Sequence, residues 1–262
     1  MTPILELAGA TVEVGGRAVF QDLSLAVAPG ERIVLLGVNG CGKTTLLRAL
    51  DGLVLAARGE VRYAGTRLDP ASLDGAAFRR RFRSEVGLLF QNVDAMLFNP
   101  TVADEIAFGP RQLGLSDVDE RVARWAAALG VEEFLARPPF ELSGGEKKRV
   151  AVAAVLAIHP RVLLLDEATA NLDPAASARL VDLLAGIEGL TTVASTHNLS
   201  IAGELGSRAV LMHPQGKGVL YDGPPEGLMG DERLLVVSGL AHAHAHRHGG
   251  RAHSHYHVHD AE

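Results

Sequence analysis

Residues 32–52, RIVLLGVNGCGKTTLLRALDG, restrict the fold more than any other stretch. An almost wholly apolar run leads into a glycine-rich turn and then a helical run, which is the order strand, loop, helix. A strand that apolar is buried on both faces, so it predicts a parallel sheet covered by helices. The turn satisfies G-x-x-x-x-G-K-[ST] with Gly37, Gly42, Lys43 and Thr44. Glycine is needed because backbone amides must approach phosphate oxygens in conformations that a Cβ hinders, while the helix N-terminus behind adds positive potential. The predicted phosphate-facing set is Gly37, Asn39, Gly40, Cys41 and Gly42 in the turn, then Lys43, Thr44 and Thr45 at the start of the helix. Lys43 would reach the β- and γ-phosphates of ATP, and the Thr44 hydroxyl would bind Mg²⁺. Cys41 reads as a small filler, and a maleimide on it is expected to block ATP binding.

Other segments extend this α/β pattern. Short runs near 4–7, 11–14 and 23–27, separated by GG and APG, predict an antiparallel β start with hairpin turns. Further buried strands are expected at 86–90, 161–166 and 190–195, alternating with helices. TVADEIAFG and SDVDERVARWAAALG have helical spacing, and Ser116 with Asp119 reads as a capping box. RAVLMHPQGKGVLYDG reads as a hairpin, and after about residue 239 the composition collapses to His, Ala, Gly and Arg. With so little apolar surface, residues 239–262 are expected to stay without order in the absence of metal, outside a domain spanning 1–238.

Several functions are disfavoured by composition. The longest apolar run, VAVAAVLAI at 150–158, is about half the ~20 residues that a membrane helix needs. The start, MTPILELAGATVEV, has no basic region and carries Glu6, so it does not read as a signal peptide. One cysteine excludes an internal disulfide and agrees with a reducing compartment, which points to the cytoplasm. A net charge of −6 offers no broad surface for nucleic acid. The one basic cluster, Arg79, Arg80, Arg81 and Arg83, reads as a solvated helix face, with contact to a partner or lipid headgroups as the alternative.

Two more motifs carry chemistry. VLLLDE at 162–167 is an apolar strand ending in two carboxylates, with Asp166 placed to hold Mg²⁺ and Glu167 to polarise an attacking water. LSGGE at 142–146 opens a helix, so Ser143, Gly144 and Gly145 form a second anion site on a chain that already has one.

With these motifs in this order, residues 1–235 resemble the ATPase subunit of an ATP-binding cassette transporter. The resemblance implies a P-loop core with a mixed sheet, an antiparallel β subdomain, and a helical subdomain over about 92–158 that carries LSGGE. It implies that two cassettes, identical or paralogous, pack head to tail so that the P-loop of one faces the LSGGE of the other. It also assigns Gln91 in FQN to the loop that touches Mg²⁺ and water and senses the membrane subunit, Asp173 in NLD to the D-loop, and His197 in STHNL to the switch histidine that contacts the γ-phosphate. One departure is clear: the aromatic that usually stacks on adenine falls near Val12 or Val14, neither aromatic, and Phe20 is a poorly placed substitute.

FQNVDAMLFNPTVADEIAFGPRQLGL is most similar to the ATPases of energy-coupling-factor importers, particularly their cobalt and nickel branch, although Val93, Ala95 and Met96 depart from the usual QNPDDQLF. That likeness implies an ATP-driven metal importer with integral membrane subunits, held at the cytoplasmic face of the membrane. It gives the tail a purpose. His242, His244, His246 and His248, then His253, His255, His257 and His259, alternate along the chain, so an extended backbone sets imidazoles about 6.7 Å apart on one side. Imidazole without thiolate suits nickel or cobalt, with nickel bound more tightly, and capture should weaken below about pH 6.5 as imidazole protonates. Other cargo, such as zinc, a vitamin or another small solute, remains open, as does a soluble metal-binding protein with vestigial nucleotide binding. A cassette of DNA repair or translation is disfavoured, because no tandem cassette, coiled coil or large insert is visible.

Overall fold

A computed structural model describes residues 2–170, 172–248 and 251–258, with side chains as far as residue 241. The chain divides into two compact units, Met1–Leu68 with Val193–Glu262, and Asp69–Thr192.

The first unit opens with β1 (Leu5–Val14) and β2 (Arg17–Val27), an antiparallel hairpin turning at Gly15–Gly16. The runs at 4–7 and 11–14 are thus one strand, not two. The small-residue stretch between them, Ala8, Gly9 and Ala10, is a bulge, where the register shifts between Leu7 and Ala10. On the other side of β1 lies β4 (Arg58–Tyr63), followed by the short β5 (Thr66–Arg67), which gives the sheet order β2-β1-β4-β5. The bulge brings two backbones very close: a Cβ at Gly59, whose φ is 69°, would lie 2.1 Å from Gly9 O. The inner face of this sheet buries Leu5, Leu7, Phe20 and Tyr63.

Also in this unit, β3 (Arg32–Leu36) pairs in parallel with β9 (Arg208–Met212), and β10 (Val219–Gly223) returns antiparallel to β9 as the expected hairpin. Ile33 to Leu36 are all fully buried, as an unbroken apolar run requires. Helix α1 (Lys43–Leu50) follows β3 through the glycine turn, and α8 (Ala202–Leu205), α9 (Pro225–Met229) and α10 (Glu232–Val237) complete the unit. β8 (Thr191–Thr196) straddles the boundary between the units.

Composition leads one to expect no order in the tail, yet its backbone runs as β11 (Ala241–His248) and β12 (Arg251–Val258), an antiparallel pair. Histidine at every second position of each strand has the period of a strand, which composition alone hides. The register sets His242 opposite His257, His244 opposite His255, and His246 opposite His253. His259 lies outside the described residues.

The second unit begins with α2 (Pro70–Asp74) and α3 (Ala76–Glu85), then β6 (Val86–Leu89). The arginine cluster sits on α3 in local contacts: Arg80 donates to Leu113 O at 2.9 Å, Arg81 pairs with Glu85, and Arg83 covers the Phe82 ring. Three helices follow, α4 (Val102–Leu113), α5 (Val118–Leu129) and α6 (Gly144–Leu156), and they pack on one another. The capping box expected from Ser116 and Asp119 does not form. α5 starts one residue later, with Asp117 at the cap position, and the Asp117 carboxylate instead accepts from Arg121 Nε at 2.8 Å. That pairing one turn along holds the Asp117 carboxyl below the usual range. β7 (Val162–Asp166) runs parallel to β6, both strands buried throughout, and α7 (Pro174–Ala185) completes the unit.

Candidate phosphate site and hydrolytic carboxylates

In the first unit the turn after β3 has the backbone its glycines predict, with φ of 146° at Gly37, 84° at Gly40 and 107° at Gly42. Only glycine adopts such angles at little cost. Gly42 is also the cap residue of α1, and no side chain caps that helix start. The first-turn amides, those of Lys43, Thr44 and Thr45, therefore point from a helix end with its positive potential intact. The Lys43 ammonium is buried and folds back over the turn, donating to Gly37 O at 2.7 Å and Val38 O at 3.3 Å. Glycine amides, an uncapped helix end and a lysine held at the same turn fit a triphosphate.

Cys41 is inside this turn but faces inward, 1% exposed, and a Cβ at Gly37 would meet its Sγ at 2.7 Å. Burial pushes the thiol up from its ordinary range, against the pull of the Lys43 charge. This burial fits a small filler, and a maleimide can block ATP binding only if it first reaches the enclosed thiol. Maleimide should modify Cys41 far more slowly than a free cysteine peptide, as followed by mass spectrometry. Labelling at the peptide's rate would show that the turn opens. Nor can Phe20 stack on adenine, because it is fully buried in the β sheet's core; Val14, 54% exposed, is the apolar surface left there. His197 follows the last residue of β8 and is partly exposed, and the turn after it is tied by Asn198 N donating to Thr196 Oγ1.

In the second unit, Asp166 ends β7 and Glu167 follows it, both buried. Glu167 has φ 50°, a left-handed conformation uncommon for a residue with a side chain. Against its backbone lies a group that the sequence motifs do not point to. Lys148, on α6, is 4% exposed and donates from Nζ to Glu167 O at 3.0 Å. Burial pushes this ammonium down from the usual lysine range, and the charges of Asp166 and Glu167 push it back up. Next to it, Lys147 reaches the other way and pairs with Asp94 at 2.7 Å, in the turn that follows Gln91. Because β6 and β7 are neighbouring parallel strands, Gln91 and Glu167 both follow strand C-termini on the same edge of the sheet. A hollow of about 540 Å³ is lined by Gln91, Asp94, Gly144, Lys147 and Lys148, among others, so Gln91 and the start of α6 share it.

Ser143 caps α6. Its hydroxyl donates to Glu146 Oε2 at 2.7 Å and accepts from Glu146 N at 3.4 Å, while Ser143 N donates to the same carboxylate at 2.7 Å. Those bonds hold the Glu146 carboxyl below the usual range. The S-x-x-E spacing within LSGGE is the signal that could have found this capping box. Gly144 and Gly145 form the helix start beyond the cap, and a Cβ at Gly144 would meet open space. Asp173 is the cap of α7, accepting from Ala176 N at 2.8 Å with Pro174 at the first helical position. Thr44 and Asp166 offer the hard oxygen ligands that Mg²⁺ favours. Outside the tail, the described residues contain no cluster of three or more His, Cys, Asp or Glu side chains able to hold a metal, and no helix among them is long and apolar enough to cross a membrane.

Comparison with known proteins agrees with these features. The family model described as ABC transporter matches residues 20–170. The nickel import ATP-binding protein of Rhodobacter capsulatus is 43% identical over 242 residues, 90% of this chain and 94% of that protein. The cobalt import ATP-binding protein of the same organism is 42% identical over 245 residues, 92% of this chain and 85% of the relative. Among solved structures, cbiO1 from Clostridium perfringens, part of the ABC transporter complex cbiONQ, superposes with a TM-score of 0.76 at 27% identity, covering 90% of this chain and 94% of that one. A family match over more than half the chain, with identities above 40% along nearly all of it, leaves one conclusion: the chain belongs to the ABC transporter family, as an ATP-hydrolysing subunit.

Proposed function

We propose that this subunit hydrolyses ATP to energise the import of a transition-metal ion, nickel or cobalt, through integral membrane subunits at the cytoplasmic face of the membrane. One observation carries the choice of cargo: an ATPase whose relatives are named for nickel and cobalt import bears a strand pair with three histidines set opposite three others. Directly opposed residues on antiparallel strands are about 4.5–5.5 Å apart at Cβ, close enough for two imidazoles to share one ion at about 2.0–2.1 Å per nitrogen, the Zn–N distance. His242, His244, His246, His248, His253, His255, His257 and His259 then capture or buffer the metal on the side it is delivered to.

In hydrolysis, the amides of the Gly37–Thr45 turn and Lys43 hold the phosphates. Glu167 polarises the attacking water, His197 contacts the γ-phosphate, and Gln91 orients water beside the metal ligands Thr44 and Asp166. When bound, Mg²⁺ neutralises charge that develops on the phosphate oxygens. Ser143, Gly144, Gly145 and Asp173 act on the nucleotide of a second cassette, a copy of this chain or a paralogue. Support for a membrane partner comes from an apolar hollow of about 340 Å³ whose lining includes Phe90, one residue before Gln91, with Met96, Phe98 and Phe108. Phe98 is 66% exposed and meets Phe108 edge to face at 5.0 Å, an apolar surface of the kind that a partner covers.

Calorimetry with Ni²⁺, Co²⁺ and Zn²⁺ on the full chain and on a chain ending at Ala241 tests the cargo. That end point keeps Leu240 and Ala241, which are buried. Nickel or cobalt should bind the full chain and not the shortened one. Equal binding by both removes the tail from the reading, and metal binding without any ATP hydrolysis would mark a storage protein instead.

A further inference from the structure

A lysine nearly closed to solvent requires an explanation, because burial disfavours its charge and lysine is seldom fully buried without a partner. Lys148 donates a hydrogen bond to the carbonyl of the residue whose carboxylate is assigned to the attacking water. That residue, Glu167, occupies a left-handed conformation directly after a fully buried strand. Such backbone persists only where its surroundings over-determine it, and it gathers at functional sites. The Lys148 side chain is also the shared wall of two hollows, the one of about 540 Å³ beside Gln91 and another of about 380 Å³ between α5, α6 and α7. It is therefore held by its polar end rather than by close packing all round. A lysine that only filled space would need neither the carbonyl nor the two carboxylates whose charges act on it.

We propose that Lys148 is a positioning residue for ATP hydrolysis: by donating to Glu167 O, it fixes the left-handed turn at Glu167 and so the direction of the carboxylate that polarises the water. The proposal rests on the assignment of that role to Glu167. Its neighbour Lys147 anchors the Asp94 turn after Gln91, so two adjacent residues of α6 hold the segment after Gln91 and the turn at Glu167. The bond acts on the carboxylate's placement and leaves the Lys43 turn untouched, so its loss should change catalysis and not nucleotide binding.

Steady-state ATP hydrolysis by the assembled transporter tests this, with Lys148→Met as the variant that keeps the stem's length and removes the donor. The expected result is a fall in kcat of tenfold or more with KM for ATP unchanged. Lys148→Arg, whose guanidinium the adjacent hollows can admit, should recover most of the rate. Introduced into Glu167→Gln, Lys148→Met should cause no further loss, because the group it positions is already gone. Lys148→Gln, too short to reach the carbonyl, is read by the same split if methionine is not tolerated. A kcat within twofold of wild type for Lys148→Met overturns the proposal, as does a loss that appears in KM or an equal loss in the Glu167→Gln background. Failure of the underlying assignment looks different: Glu167→Gln alone would then turn over at the wild-type rate.

Discussion

Glu167→Gln should leave ATP binding intact and lower turnover by about a hundred- to ten-thousandfold, the range that a general base contributes. At about 1.36 kcal/mol per factor of ten, this is roughly 3–5 kcal/mol of transition-state stabilisation. The substitution is nearly isosteric. The amide keeps the side chain's shape, and the bond from Lys148 goes to the backbone carbonyl, so the left-handed turn at φ 50° has no reason to relax. The phosphate turn with Lys43 is far from this residue in sequence and keeps all its bonds. Equilibrium nucleotide binding and single-turnover hydrolysis, measured on the same preparation, separate the two effects. Turnover at the wild-type rate would remove Glu167 from its role.

Gly59→Ala should be among the most damaging small substitutions in the first unit, for a reason unrelated to catalysis. Its φ of 69° is left-handed, and an added Cβ would sit 2.1 Å from Gly9 O and 2.5 Å from Ala8 O. Both neighbours are backbone within the β1 bulge, so neither can swing aside as a side chain end would. A left-handed residue with a Cβ costs about 1–2 kcal/mol, and overpacking adds about 1–3 kcal/mol, for a combined loss of roughly 2–5 kcal/mol. Gly65 is the control: φ is 80°, yet a Cβ added there would meet nothing within 4 Å, so Gly65→Ala should lose only the conformational part, about 1–2 kcal/mol. Urea midpoints of the two variants give the comparison. Equal shifts would show that the bulge yields and that crowding at Gly59 has no energetic weight.

Much of this molecule is legible in its sequence because the relevant signals are local. An apolar run of four to six residues, a glycine turn and a lysine are enough to place β3, the phosphate turn and α1, and similar runs place β6, β7 and β8. Motif residues at strand ends, Gln91, Glu167 and His197, are found where those strands stop. What the sequence hides depends on contacts distant along the chain. The bulge that joins 4–7 to 11–14 into one strand is set by pairing with β2 and β4 at once. That the core closes over Phe20 and Cys41 is likewise not written in their neighbours along the chain. Lys148 looks like a surface residue in GGEKKR, since only a carbonyl 19 residues further along explains its burial. At α5 the ambiguity is local: two spacings compete for one helix start, and the Asp117–Arg121 pair decides it. In the tail the two-residue alternation of histidine is plain in the sequence, whereas the pairing of its two halves is not.

The cap at the start of α6 has a consequence for how a second cassette's nucleotide is received. In this chain the Glu146 carboxylate accepts from both the hydroxyl and the amide of Ser143, so the helix tip already holds an anion of its own. If LSGGE receives the partner cassette's nucleotide as proposed, an arriving γ-phosphate would compete with that resident for the same donors, and only the difference between the two would reach the affinity of the cassettes for each other. On the proposed function, the tip would then act as an exchange site rather than a vacant socket.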